Sequence, residues 1–126
     1  MAAKACKFIG LLIFFAFVTQ GYAGICETIQ ESVILKQSKT GKMVKNKPEW
    51  EVRVKNTCSC NYYEIHLSCV NFKSVTTIAS SVLSKTGDVC LLNDGKVLSY
   101  DEEYVFKYVW NTSFNFKITD GQIACS

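Results

Sequence analysis

The sequence predicts an all-β fold, an antiparallel β-sandwich of short strands stapled by three disulfides. Three observations carry that expectation. Several short stretches show period-two patterning: Glu49–Lys55 and Glu64–Cys69 alternate polar and apolar residues, and Tyr104–Trp110 sets four aromatics on one face. Turn signals punctuate the chain at Thr40-Gly41, Thr86-Gly87-Asp88, Asn93-Asp94-Gly95 and Asp120-Gly121. An even six cysteines follow the N-terminal segment, enough for three bridges in an oxidising compartment.

The compartment is read from the N-terminus. Lys4 and Lys7 precede an apolar run of 11 residues, Phe8 to Val18, and Gly21-Tyr22-Ala23 offers the small residues of a cleavage site. Residues 1–23 are therefore expected to be a secretory signal peptide, because the run falls short of the ~20 residues a spanning helix needs. Export to the extracellular space, the apoplast, with no stable membrane insertion, is the expectation that follows. The remainder, residues 24–126, is 103 residues long and the size of one domain. A chain this short buries only ~65% of its unfolded surface and gains from covalent help.

Once Cys6 departs with the signal, the cysteines are Cys26, Cys58, Cys60, Cys69, Cys90 and Cys125. Six cysteines allow 15 connectivities, and the pairing stays open at this level. Cys58 and Cys60 are too close to bond each other comfortably, so each must reach a distant partner. Cys26, Cys90 and Cys125 are the candidates. Zinc is the competing use, but Cys58-x-Cys60 is not the two-residue knuckle and exported thiols oxidise, so no metal is expected.

In chain order, Thr28-Ile29-Gln30-Glu31 has the form of a helix capping box, whereas Val33-Ile34-Leu35 suits a strand over 32–38. A lysine-rich loop is expected next, ending at Pro48. In the strand 49–55, Trp50, Val52 and Val54 face inward, and it leads directly into the cysteine pair. The strand 64–69 sends Ile65, Leu67 and Cys69 inward. Phe72 to Leu83 reads as one strand plus an irregular connection, although Val75, Ile78 and Val82 also fit helical spacing. A strand over 96–98 should follow the Asn93-Asp94-Gly95 turn. Tyr104, Phe106, Tyr108 and Trp110 share one face of their strand, and 114–118 reads as its hairpin partner across Asn111-Thr112-Ser113.

Charge excludes one class. Residues 24–126 hold 12 basic side chains (14 less Lys4 and Lys7) against 11 acidic ones, far from the footprint of a nucleic-acid binder. The exception is local, with Lys36, Lys39, Lys42, Lys45 and Lys47 in one segment without an acid; it is a solvated loop or a basic patch for an acidic partner. The inventory for catalysis is poor. No Gly-x-Ser-x-Gly, phosphate loop or His-Glu-x-x-His occurs, and His66 is the single histidine, on the polar face of its strand. Asp101-Glu102-Glu103 is better read as a solvated turn than as paired acids. No enzyme activity and no cofactor are expected. Asn111-Thr112-Ser113 is a standard N-glycosylation acceptor at an expected turn.

Taken together, several features resemble the plant tapetum determinant family. They are the signal, Pro-x-Trp-x-Val-x-Val-x-Asn from Pro48 to Asn56, the close cysteine pair, Glu64-Ile65-His66-Leu67-Ser68-Cys69, Cys90-Leu91-Leu92-Asn93-Asp94-Gly95-Lys96, Phe106-x-Tyr108 and the terminal cysteine. The resemblance runs from Cys26 to Cys125. It departs where the pair is separated by Ser59 alone, since the best-known members separate it by about three residues. It implies a secreted cysteine-rich ligand perceived by a leucine-rich-repeat receptor kinase ectodomain and acting in cell-fate specification in the anther and tapetum.

Two function classes are carried forward. One is that receptor ligand, with contacts expected in the lysine loop (Lys39, Lys42, Lys45) and the cysteine-pair turn (Asn61, Tyr62, Tyr63), since loops on a rigid scaffold carry recognition. The other is a non-catalytic cell-wall or carbohydrate-binding sandwich. A flat row of exposed aromatics would favour the second; buried aromatics beside a charged surface would favour the first.

Overall fold

The computed structural model describes residues 26–125, so the expected signal peptide over 1–23 lies outside the described residues. Both N-terminal readings are realised in succession. The Thr28 hydroxyl accepts the Glu31 N–H at 3.3 Å and opens a single turn, α1 (Ile29–Ser32), which stops where β-branched Val33 goes extended.

The strand that follows runs further than the sequence predicts. β1 (Val33–Val44) and β2 (Lys47–Asn56) form one long hairpin, closed by Lys45 and Asn46 at φ 49° and 64°. Two successive left-handed residues make the tight turn that matches strand twist. The lysine-rich segment is therefore a hairpin and not a loop, with a register shift between Lys39 and Met43 and Gly41 at φ 93°.

β3 (Asn61–Ser68) buries Ile65 and Leu67, with Cys69 just beyond it. It also buries Tyr62, three residues before Ile65, which strict alternation forbids. A bulge permits it: Glu64 lies at φ 50° and the register shifts between Tyr63 and His66. Opposite this bulge runs β7 (Lys117–Ala124), so Asp120-Gly121 is continuous strand and not a turn. A Cβ at Gly121 would stand 2.3 Å from the Ile29 Cδ1 of α1, so a larger residue there would have to push the tip of that side chain aside.

β4 (Leu83–Thr86) and β5 (Val89–Leu92) form a hairpin across Gly87 at φ 63°, and a 3-10 turn at Asn93–Gly95 follows. Three further expectations fail. Residues 72–82 contain neither strand nor helix, because Phe72 leaves the surface to plug the core and Val75 donates to Val109 O at 2.9 Å. The strand over 96–98 reduces to one bridge, Leu98 with Tyr62. Residues 114–118 do not pair with β6 (Glu103–Val109); the chain crosses to the other sheet, where β7 joins β3.

The result is two antiparallel sheets, β1-β2-β6 and β4-β5-β3-β7, face to face. Val52, Val54, Phe106 and Tyr108 meet Ile65, Leu67, Cys69, Leu92 and Ile118 in the buried layer. Phe72 packs edge-on against Tyr108, Phe114 and Phe116, with centroids 5.2 to 5.3 Å away. The expected antiparallel sandwich with three bridges is what forms.

One polar ring ties the crossover down. The Tyr108 hydroxyl donates to Gln37 Oε1 at 2.6 Å, Gln37 Nε2 donates to Phe114 O at 2.6 Å, and Phe114 N–H donates back to the hydroxyl at 3.0 Å. Burial pushes the Tyr108 phenol above its ordinary range, against a smaller opposing effect of the Phe114 N–H. A phenol whose folded pKa is raised contributes stability that is whole below the unfolded value near 10 and is lost as pH rises through the folded one. Tyr108→Phe should lower stability by about 1 to 3 kcal/mol, since Gln37 and Phe114 each lose a partner. It should also blunt the alkaline fall in melting temperature above roughly pH 10, which a pH series of thermal melts reads.

Candidate functional site

The cysteine pair lies in the short connection between β2 and β3, and the bridges fix the first and last of the described residues to it. Cys58 bonds Cys26 and Cys60 bonds Cys125, with Cα separations of 5.4 and 4.6 Å. Cys90, the third candidate partner, instead bonds Cys69 across β5 and β3, at a Cα separation of 5.9 Å. The sulfurs of Cys26, Cys58 and Cys60 lie within 4.8 Å of one another, which two bridges meeting side by side account for.

Asn56 organises this end and is the residue that sequence reasoning passed over. Its side chain is fully buried, yet every polar atom on it is used. Nδ2 donates to Cys60 O at 2.8 Å and to Leu98 O at 2.9 Å, and Oδ1 accepts the Cys58 N–H at 2.9 Å. Its backbone is pinned too, donating to Glu102 O at 3.1 Å and accepting from Asp101 N at 2.7 Å. One amide therefore holds the cysteine connection, the Leu98 bridge and the Asp101 turn together. The signal was present in the sequence. Asn56 continues the inward series Val52, Val54, and a polar residue at an inward position beside two cysteines calls for partners.

The contact candidates separate into two sets. Asn61, Tyr62 and Tyr63 sit at the cysteine end, but Tyr62 is only 3% exposed and its ring belongs to the core, so it drops out as a surface anchor. Asn61 and Tyr63 remain part-exposed. Lys39, Lys42 and Lys45 lie at the other end of the β1–β2 hairpin, which pairs Val33 with Asn56 at one end and Val44 with Lys47 at the other. Nine residue steps along β2, at ~3.3 Å each, put about 30 Å between the two ends. Sequence reasoning offered both sets as binding surfaces without placing them relative to each other, and the fold sets them apart.

At the arm end, the Lys39 ammonium stands 5.4 Å from the Trp50 ring centre and the Lys47 ammonium 5.7 Å from that of Trp110. Trp50 Nε1–H donates to the Trp110 backbone carbonyl at 3.2 Å, which ties the Trp50 indole to the end of β6. Glu49 accepts from the Thr40 hydroxyl at 2.9 Å, and among the described residues none of Lys36, Lys39, Lys42, Lys45 and Lys47 is in an ion pair. Asn111, just after Trp110, is exposed with Thr112 and Ser113.

The other charged groups have structural partners. Arg53 bridges Glu103 and Glu51 at 2.6 Å each, and those carboxylates hold its guanidinium above the ordinary range. Lys55 meets Asp101 at 3.2 Å, and Glu102 accepts the Ser99 N–H at 2.7 Å. The Asp101-Glu102-Glu103 carboxylates thus point to three different partners. His66 is half-buried, and its Nδ1 lacks a hydrogen bond within the protein.

Among the described residues, no helix is long and apolar enough to cross a membrane. The family described as Tapetum determinant 1, C-terminal, matches residues 29–126. The chain is 30% identical over 99 residues to TPD1 protein homolog 1 of Arabidopsis thaliana, covering 76% of this chain and 54% of that protein. It is 26% identical over 98 residues to TPD1 protein homolog 1B of Oryza sativa subsp. japonica, covering 76% and 57%. With TPD1 protein homolog 1A of the same plant it shares 29% identity over 104 residues, covering 75% and 45%. The chain thus spans about half the length of the curated relatives it matches. No solved structure matches it. A family match over 98 residues (29 to 126), reaching across both sheets, settles the identification: the chain belongs to the tapetum determinant 1 family, through its C-terminal domain.

Proposed function

We propose that this domain is a secreted protein ligand without catalytic activity, recognised by the ectodomain of a plant leucine-rich-repeat receptor kinase and acting in cell-fate specification of the anther and tapetum. The carrying observation is the basic arm, with Lys39, Lys42, Lys45 and Lys47 in no ion pair among the described residues, projecting from a sandwich already ordered by three bridges. A rigid partner loses little entropy on docking, and a repeat receptor offers a long concave surface to receive it. Buried Tyr62 and Tyr108 favour this reading over a flat row of exposed aromatics.

Replacing Lys39, Lys42 and Lys45 together by Glu is expected to weaken capture by a receptor ectodomain mainly through slower association, with a smaller dependence on salt. Asn61→Ala with Tyr63→Ala tests the other end and should act through faster dissociation if that end is anchored. The separation of the ends makes the two results independent. Capture unchanged by either set, in variants with all bridges formed, would overturn the receptor reading.

The sequon stands at the arm end. We propose that Asn111 carries a glycan, so that glycosidase treatment lowers the mass of the secreted protein but not that of Asn111→Gln. An unshifted wild type would mean the site is unused.

A further inference from the structure

We propose that the arm end, which shares Lys39, Lys42 and Lys45 with the proposed receptor surface, also binds an acidic polysaccharide built of uronic-acid residues. Lys39, Lys42, Lys45 and Lys47 crowd the far part of the hairpin, whereas Lys36 pairs with Arg53 nearer the cysteine end and on the opposite face from Lys39, and Glu49, the nearest acid in sequence, is occupied by Thr40. Such a strip attracts a chain of carboxylates. The indoles decide which kind. Trp50 and Trp110 are joined by the Nε1–H to carbonyl bond, both are part-exposed, and each lies beneath a lysine ammonium. A uronic-acid ring presents a carboxylate for an ammonium and a C–H face for an aromatic in the same residue. An acidic peptide supplies the carboxylates but no apolar ring face to lie along the indoles. The repeating charge of the polymer also suits lysines spread along a strand, each of which contributes weakly alone.

The chain has two tryptophans, and both are at this end, so intrinsic fluorescence reports the site directly. The test titrates the secreted, fully bridged protein with three probes: unesterified polygalacturonate, its fully methyl-esterified form, and poly-glutamate. Polygalacturonate is expected to bind with a change in tryptophan emission, the methyl ester to bind weakly or not at all, and poly-glutamate to leave the emission unchanged. Replacing Lys39, Lys42, Lys45 and Lys47 by Gln should weaken polygalacturonate binding about tenfold or more, while receptor capture is measured separately on the same variant. Equal affinity for poly-glutamate, with no emission change from either polymer, would overturn the proposal and leave a charge patch suited to an acidic protein. Absence of binding to polygalacturonate, with the lysine variant merely self-associating more, would also overturn it. The lysines would then serve to keep the exposed β1 edge from pairing with other chains.

Discussion

Asn56→Ala is expected to lower the stability of the domain by about 2 to 5 kcal/mol, since it takes the partner from the buried Cys58 N–H and the part-buried Cys60 carbonyl, at ~1 to 3 kcal/mol each. Leu98 O keeps a second donor in Tyr62 N–H at 3.1 Å and adds little. For a domain of this size the melting temperature should fall by roughly 10 to 30 °C. Asn56→Asp should be at least as damaging. It retains an acceptor for the Cys58 N–H but turns a carboxylate oxygen toward two carbonyls where the amide had donated. Thermal melts on protein whose mass shows three bridges distinguish this loss from misoxidation. A melting temperature within two or three degrees of wild type, roughly half a kcal/mol, would show that water replaces the amide at no cost.

Removing one bridge at a time should be comparably severe. With sequence separations of 65, 32 and 21, chain entropy alone ranks Cys60–Cys125, Cys26–Cys58 and Cys69–Cys90 at about 4.3, 3.7 and 3.3 kcal/mol. Burial reverses the order. Cys69 and Cys90 are 1% and 0% exposed, so their replacement by Ala also leaves a cavity between the sheets, whereas Cys125 is exposed. The Cys69→Ala, Cys90→Ala pair is therefore expected to be the most destabilised in denaturant melts, and the Cys60→Ala, Cys125→Ala pair less so. The opposite ranking would mean that loop closure outweighs packing here.

Where one face of a strand is buried, the sequence was easy to read. Val52 and Val54, Ile65 and Leu67, Phe106 and Tyr108 alternate because one side of each strand meets the other sheet. Residues 36–44 gave no such signal, being mostly exposed on both faces of the hairpin, and hydrophobic periodicity reports burial and not hydrogen bonding. Asp120-Gly121 misled for a different reason. The glycine serves a close approach by Ile29 in place of a bend, and nothing local distinguishes the two uses. The destination of 114–118 depends on which sheet has a free edge beside β3, a fact that exists only once both sheets are assembled. The same holds for the candidate site. The residue types were legible, but the length of the β1–β2 hairpin that parts the lysines from Asn61 and Tyr63 was not.

The two bridges at the cysteine pair also determine how the domain bears load. Tension applied between residues 26 and 125 travels from Cys26 through its bond to Cys58, across Ser59, and from Cys60 through its bond to Cys125. That covalent line bypasses the segments 27–57 and 61–124, which contain every strand. Pulled by its ends, the sandwich is slack: no hydrogen bond between its strands lies in the path of the force. Only after a thiol cuts one of the two bridges would the sheets begin to carry tension.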